Sequence, residues 1–79
     1  MSEQLTQLSK LKPGQRGQIS AVEGEKELRS RLAAMGFRKG AKVSVGHSAL
    51  FGDPRTYTLG SSHISLRNSE AQHVQIQLS

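Results

Sequence analysis

The chain has 79 residues, no cysteine and a formal net charge of +5 at pH 7. A chain of this length buries only about 60% of its unfolded surface, so one domain with a thin core is expected. The absence of cysteine excludes disulfides and thiolate chemistry, and no apolar run approaches the ~20 residues of a membrane span. Since residues 1–6 lack the basic and apolar segments of a secretion signal, we expect a cytoplasmic protein.

The first part of the chain predicts one strand. Residues 1–7 show no clear period and are expected to form a loose lead-in. Apolar side chains then alternate through residues 17–22, which is typical of a half-buried strand. The alternation predicts that Ile19 and Ala21 lie on the same side of the sheet.

A short amphipathic helix is predicted over residues 25–35. Its apolar side chains follow the helical spacing i, i+4, i+7 and are Leu28, Leu32 and Met35. Gly36 stands where a helix stop needs a residue with positive φ, and Phe37 would then pack on Leu32. The pattern therefore predicts a Schellman stop directly after Met35.

The second half of the chain predicts four more strands. They cover residues 41–45, 55–59, 62–66 and 74–78, and a single helical turn is predicted at 68–71. Five short strands with one helix indicate a mainly β fold. We expect a small barrel, because a nearly closed sheet protects strand edges that so small a sheet could not cover otherwise.

Positive charge is concentrated between residues 26 and 42, where six cations stand against one anion. Two interpretations stay open: a patch that faces phosphates or acidic groups, and a solvated helix face followed by a charged turn. The few aromatic residues argue against single-stranded nucleic acid, because they cannot form both a core and a stacking platform. They are Phe37, Phe51 and Tyr57.

Four segments, in this order and spacing, resemble the ferrous iron transport protein A family (FeoA), whose module also occurs at the C-terminus of iron-dependent repressors. The resemblance extends over residues 8–78. The segments are Gln15-Arg16-Gly17-Gln18-Ile19, Leu28-Arg29-x-Arg31-Leu32-x-x-Met35-Gly36-Phe37-x-x-Gly40-x-x-Val43, Ala49-Leu50-Phe51-Gly52-Asp53-Pro54 and Ile64-Ser65-Leu66-Arg67-x-Ser69-Glu70-Ala71.

The resemblance implies a single SH3-like β-barrel domain over residues 1–79, with its core at about 8–78. It also implies a cytoplasmic accessory role beside FeoB, a membrane ferrous iron permease with a GTPase domain. Under this interpretation the chain binds the cytosolic part of FeoB, is not itself embedded in the membrane, takes no small-molecule substrate and is not an enzyme.

The candidate partner-binding residues form two groups, and each has a structural alternative. The Gly-Asp-Pro segment has the composition of a simple turn. The two large apolar residues that precede it could close the mouth of the barrel. The helix arginines could be solvated surface residues. Where the family often has Pro-Leu, this chain has Leu50-Phe51. The candidates are Arg29, Arg31, Leu50, Phe51, Gly52, Asp53 and Pro54.

No metal, cofactor or catalytic site is predicted. The possible metal ligands are not spaced as a prebuilt site would be, and residues 36–40 lack the Gly-Lys-Ser/Thr of a nucleotide-binding loop. The alternative function is a small basic barrel that binds nucleic acid or acts as a repressor-like interaction module, although nucleic acid is the less favoured partner. The possible ligands are His47, Asp53, His63, Glu70 and His73.

Overall fold

The computed structural model describes residues 4–46 and 52–79. Within them the chain forms six strands, one α-helix of nine residues, one of four, and a 3₁₀ turn. In chain order these are β1 (Leu5–Gln7), the 3₁₀ turn (Leu8–Lys10), β2 (Arg16–Val22), α1 (Lys26–Ala34), β3 (Lys42–Val45), β4 (Arg55–Leu59), β5 (Ser62–Leu66), α2 (Asn68–Ala71) and β6 (Val74–Leu78).

All six strands belong to one antiparallel sheet in the order β1-β6-β2-β3-β4-β5. The mainly β fold with one short helix is confirmed, and each predicted strand and helix agrees with the structure to within one residue at either end. The structure adds β1, which the sequence did not predict. This three-residue strand pairs with β6, Leu5 opposite Gln77, and Leu5 itself is exposed. So short a segment carries no periodic signal of its own.

The core is formed by one side of the sheet together with α1, the 3₁₀ turn and α2. Every strand from β2 to β6 contributes at least one buried side chain, so the core extends across most of the sheet. The buried hydrophobic residues are Leu8, Leu11, Ile19, Leu32, Phe37, Val43, Val45, Tyr57, Leu66, Ala71, Val74 and Ile76.

A β-bulge in β2 changes which residues face the core. Ile19 pairs with Ile76, but Ala21 pairs with Gln75, so Ser20 is an extra residue in the β2–β6 ladder. The prediction that Ala21 shares the side of Ile19 is therefore wrong. Ile19 is buried and Ala21 is exposed.

Helix α1 ends as the sequence predicts. Gly36 has φ 105°, its N–H donates to the Ala33 carbonyl at 3.0 Å, and the Phe37 N–H donates to the Leu32 carbonyl at 2.9 Å. These two bonds define a Schellman motif with Met35 as the C-cap. Leu32 and Phe37 are both buried in the core, so the helix stop also fixes a core side chain.

We expect Gly36→Ala to lower the free energy of unfolding by about 1–2 kcal/mol, because a Cβ disfavours the left-handed conformation. A new Cβ would lie 3.5 Å from Leu59 Cδ1, an ordinary contact, so the loss comes from the backbone. Urea denaturation measures it. Gly36→Asn is the matched control and should lose less, since asparagine tolerates positive φ better than alanine. Equal stability of wild type and Gly36→Ala would contradict this account.

Candidate docking surface

The turn formed by Gly52, Asp53 and Pro54 is held in place by α2. The Asn68 backbone N–H donates to Asp53 Oδ1 at 2.9 Å, and the Asn68 Nδ2 donates to the Gly52 carbonyl at 2.6 Å. The Asp53–Pro54 peptide bond is cis. Asp53 thus satisfies one of the N–H groups that a helix start leaves without an internal partner. Asp53 and Pro54 remain exposed.

Arg31 of α1 also contacts α2, through Glu70. Its Nη2 lies 2.7 Å from Glu70 Oε2, while the other carboxylate oxygen of Glu70 accepts the Arg67 backbone N–H at 3.3 Å. The Arg31 side chain is 61% exposed, so the ion pair contributes less than about 1 kcal/mol to stability. The pair orients Arg31 and leaves most of its side chain accessible.

Helix α2 therefore brings the Gly-Asp-Pro turn together with one of the two predicted arginines. Arg29 precedes Arg31 by two positions, which places it about 200° away around α1, exposed on another side of the helix. Leu50 and Phe51 lie outside the described residues. We use the name "α2 surface" for Arg31, Gly52, Asp53, Pro54, Asn68 and Glu70.

Two members of the α2 surface, Asn68 and Glu70, were not among the predicted site residues. A local signal for Glu70 existed, since an acidic side chain at the third position of a helix commonly accepts a hydrogen bond from the backbone N–H of the residue that caps the helix start. No local signal could identify their tertiary partners. The Asn68 contacts reach back 15 and 16 residues, and the Arg31–Glu70 bond spans 39.

Directly after the turn, the guanidinium of Arg55 is buried. Its Nη1 donates to the Leu11 carbonyl at 2.5 Å, its Nη2 to the Leu8 carbonyl at 2.8 Å, and its Nε to the Tyr57 hydroxyl at 3.2 Å. The Arg55 Cζ also lies 5.3 Å from the centre of the Tyr57 ring. Because Arg55 follows Pro54, these bonds anchor the end of the turn to the 3₁₀ segment.

Burial raises the pKa of Tyr57 above its ordinary value of 10.0. The hydrogen bond from Arg55 and the positive charge of Arg55 act in the lowering direction, and the charge of Asp53 acts in the raising direction. A raised pKa in the folded state means that the stability tied to the protonated hydroxyl is complete below pH 10 and is lost as pH rises above it.

We therefore expect tyrosinate absorbance to develop at higher pH in the folded protein than in the urea-denatured chain. The chain has one tyrosine and no tryptophan, so the signal belongs to Tyr57 alone. Coincident titration curves for the folded and denatured protein would contradict the burial of the hydroxyl.

Within residues 4–46 and 52–79, no three His, Asp or Glu side chains lie close enough together to hold a metal ion. His47 lies outside these ranges.

In the described part of the chain, no helix has the length and apolar character needed to cross a membrane.

Comparison with known proteins identifies one family. The model of the FeoA domain matches residues 6–78. An Fe(2+) transport protein A of Campylobacter jejuni is 34% identical over 71 residues, which cover 90% of this chain and 96% of that protein. An Fe(2+) transport protein A/Fe(2+) transporter FeoB fusion protein of Porphyromonas gingivalis is also 34% identical over 71 residues. This chain spans only 8% of that fusion protein.

Solved structures agree with the fold. FeoA of Stenotrophomonas maltophilia, a prokaryotic SH3 domain protein solved with zinc, matches with a TM-score of 0.77 and 27% identity. That match covers 90% of this chain and 88% of the other. A manganese-dependent transcriptional repressor matches all of this chain and 44% of its own with a TM-score of 0.85, but its 15% identity shows a shared fold alone. The sheet is thus SH3-like, and the chain belongs to the FeoA domain family.

Proposed function

We propose that this chain is a cytoplasmic accessory protein of bacterial ferrous iron uptake that binds the cytosolic part of the permease FeoB. The observation that carries the proposal is the fusion relative, in which a segment similar to this chain shares one polypeptide with an Fe(2+) transporter FeoB. Fusion holds two domains beside each other permanently, which is useful when the separate proteins work together. The family membership and the 34% identical Fe(2+) transport protein A support the same role.

Within this proposal the α2 surface is the docking site, and Leu50 and Phe51 supply its apolar part. The surface has an exposed cation in Arg31 and an exposed acid in Asp53, both tied to α2. Charges held in fixed positions select the orientation of a partner, and neighbouring apolar side chains supply affinity. Arg29, on another side of α1, is left outside this narrower site.

The role proposed is regulatory rather than catalytic. A protein without chemistry of its own alters a transporter by binding one of its conformations better than another. A preference of ~1–3 kcal/mol shifts the balance between two conformations by about five- to 150-fold. We propose that the chain acts on FeoB in this way.

The test is ferrous iron uptake in a strain that lacks this chain. We expect wild type to restore uptake and Leu50→Gln/Phe51→Gln to restore less, with the folded proteins equally abundant. Leu5→Gln is the matched control, because Leu5 is an exposed leucine remote in sequence from the turn, at 59% exposure. Full uptake without the chain would reject the accessory role.

A binding measurement tests the partner and the docking site separately from the effect on uptake. We expect Arg31→Gln to weaken co-purification with the cytosolic part of FeoB, and Arg29→Gln, the same change elsewhere on α1, to leave it intact. Loss with Arg29→Gln alone would move the docking site away from the α2 surface. No association of the wild-type protein with FeoB would reject the partner.

A further inference from the structure

A second polar surface lies on the side of the sheet opposite the core. Arg16 pairs with Ser44, Ser44 with Thr58, and Thr58 with His63, so these four residues form one row across β2, β3, β4 and β5. Ser44, Thr58 and His63 each neighbour a residue that packs in or against the core, and Arg16 precedes the buried Gly17, as alternation requires. Arg16 and His63 are exposed, and Thr58 Oγ1 lies 3.2 Å from His63 Nδ1.

A depression opens beside this row. Its volume is about 190 Å³, and Lys42, two residues before Ser44 in β3, contributes a second cation to its lining. Arg16 and Lys42 are exposed, whereas Ser44 and Thr58 are half-buried at its base. The lining is Arg16, Lys42, Val43, Ser44, Thr58 and Gly60. Guanidinium, ammonium and hydroxyl groups are all hydrogen-bond donors, so the depression suits an anionic oxygen ligand.

No described carboxylate side chain belongs to the four strands that form this face. The acids of residues 4–46 and 52–79 lie in the segment around α1, in the Gly-Asp-Pro turn and in α2, and they are Glu23, Glu25, Glu27, Asp53 and Glu70. None of these five acids belongs to the strands that carry Arg16 and Lys42. Among the described residues the structure identifies no salt bridge at either cation.

We propose that this face, defined by Arg16, Lys42, Ser44 and Thr58, docks an acidic segment of a protein partner through its Asp or Glu side chains. The depression has room for an acidic side chain, and two cations are among its lining residues. A single-stranded nucleic acid is less well suited, because Phe37 and Tyr57 are buried and leave no described aromatic ring for base stacking. The face is distinct from the α2 surface, so this proposal does not depend on the proposed function.

The test is titration of the amide NMR spectrum with a short polyglutamate peptide at about 0.1 M salt, where the Debye length is about 10 Å. We expect saturable shifts at Arg16, Lys42, Ser44 and Thr58, and about tenfold weaker binding for the double variant Arg16→Gln/Lys42→Gln. The matched control is Lys26→Gln/Arg29→Gln, which removes the same charge from α1. It should change the affinity by less than about twofold, since exposed charges at a distance are screened.

Three outcomes would overturn the proposal. One is an equal loss of affinity in the site and control variants, which would make binding a matter of net charge. Another is a set of shifts centred on α1. The third is tighter binding of a DNA oligonucleotide than of polyglutamate at the same four residues, which would assign the face to a nucleic acid.

Discussion

Arg55→Ala is expected to lower the free energy of unfolding by about 3 kcal/mol. The buried guanidinium donates to two main-chain carbonyls, of Leu8 and Leu11, and to the Tyr57 hydroxyl. Hydrogen bonds from a charged donor are stronger than neutral ones, and removal of the donor leaves buried acceptors without it. The 3₁₀ turn would also lose the guanidinium bond that ties Leu8 to β4 and keep only the longer bond from the Tyr57 hydroxyl to the Leu8 carbonyl, at 3.4 Å. Chemical denaturation followed by circular dichroism measures the effect.

Arg55→Lys tests whether the loss of stability comes from the geometry of the guanidinium or from its charge. A lysine ammonium is a compact point charge and cannot reproduce the planar fork that reaches both carbonyls, so we expect most of the loss to remain. Arg67→Ala is the control, since Arg67 is exposed. Its loss should stay within about 0.5 kcal/mol. If Arg55→Ala and Arg67→Ala cost the same, the buried hydrogen bonds contribute little.

The features that the sequence predicted correctly are those encoded within a few residues. Alternation in residues 55–59 and 74–78 depends on neighbours two positions apart, and the boundaries of β4 and β6 agree with it. The helix stop at Gly36 likewise depends only on local backbone chemistry, and both of its hydrogen bonds are present. These patterns sufficed to infer the fold class.

The features that were missed depend on partners far along the chain. β1 exists because β6 pairs with it, and the bulge at Ser20 exists because β2 must stay in register with β6 on both sides of it. Arg55 occupies an inward position that its charge would disfavour. Its carbonyl acceptors lie 44 and 47 residues away, so no local pattern could identify them.

The charged segment between residues 26 and 42 illustrates the same limit. In the sequence it forms one basic cluster. In the fold, Arg31 lies against Glu70 on α2, while Lys42 lies on β3 beside the depression at Arg16. Because the chain turns between α1 and β3, one cluster of charge supplies two separate surfaces. This separation is why the two proposed docking sites can be tested independently.

Gly17→Ala is expected to have the other large effect, a loss of about 3 kcal/mol or more in the free energy of unfolding. Gly17 lies in β2 opposite Leu78 of β6. A Cβ at this position would stand 2.5 Å from Ile76 Cγ2 and 2.6 Å from the Gln77 carbonyl oxygen. The carbonyl oxygen belongs to the main chain of a paired strand, so it cannot move aside without breaking the β2–β6 ladder.

Gly46→Ala is the matched control, because a Cβ built there meets no atom of residues 4–46 and 52–79 within 4 Å and no positive φ strains it. We expect this variant to unfold at the wild-type urea concentration or slightly above, since alanine reduces the entropy of the unfolded chain. The difference in stability between the two variants measures the packing clash at Gly17, because both variants add the same methyl group to a glycine of the same small domain. Equal stability of the two variants would mean that β6 can shift away from Gly17, and that the close approach of β2 and β6 does not hold the sheet together.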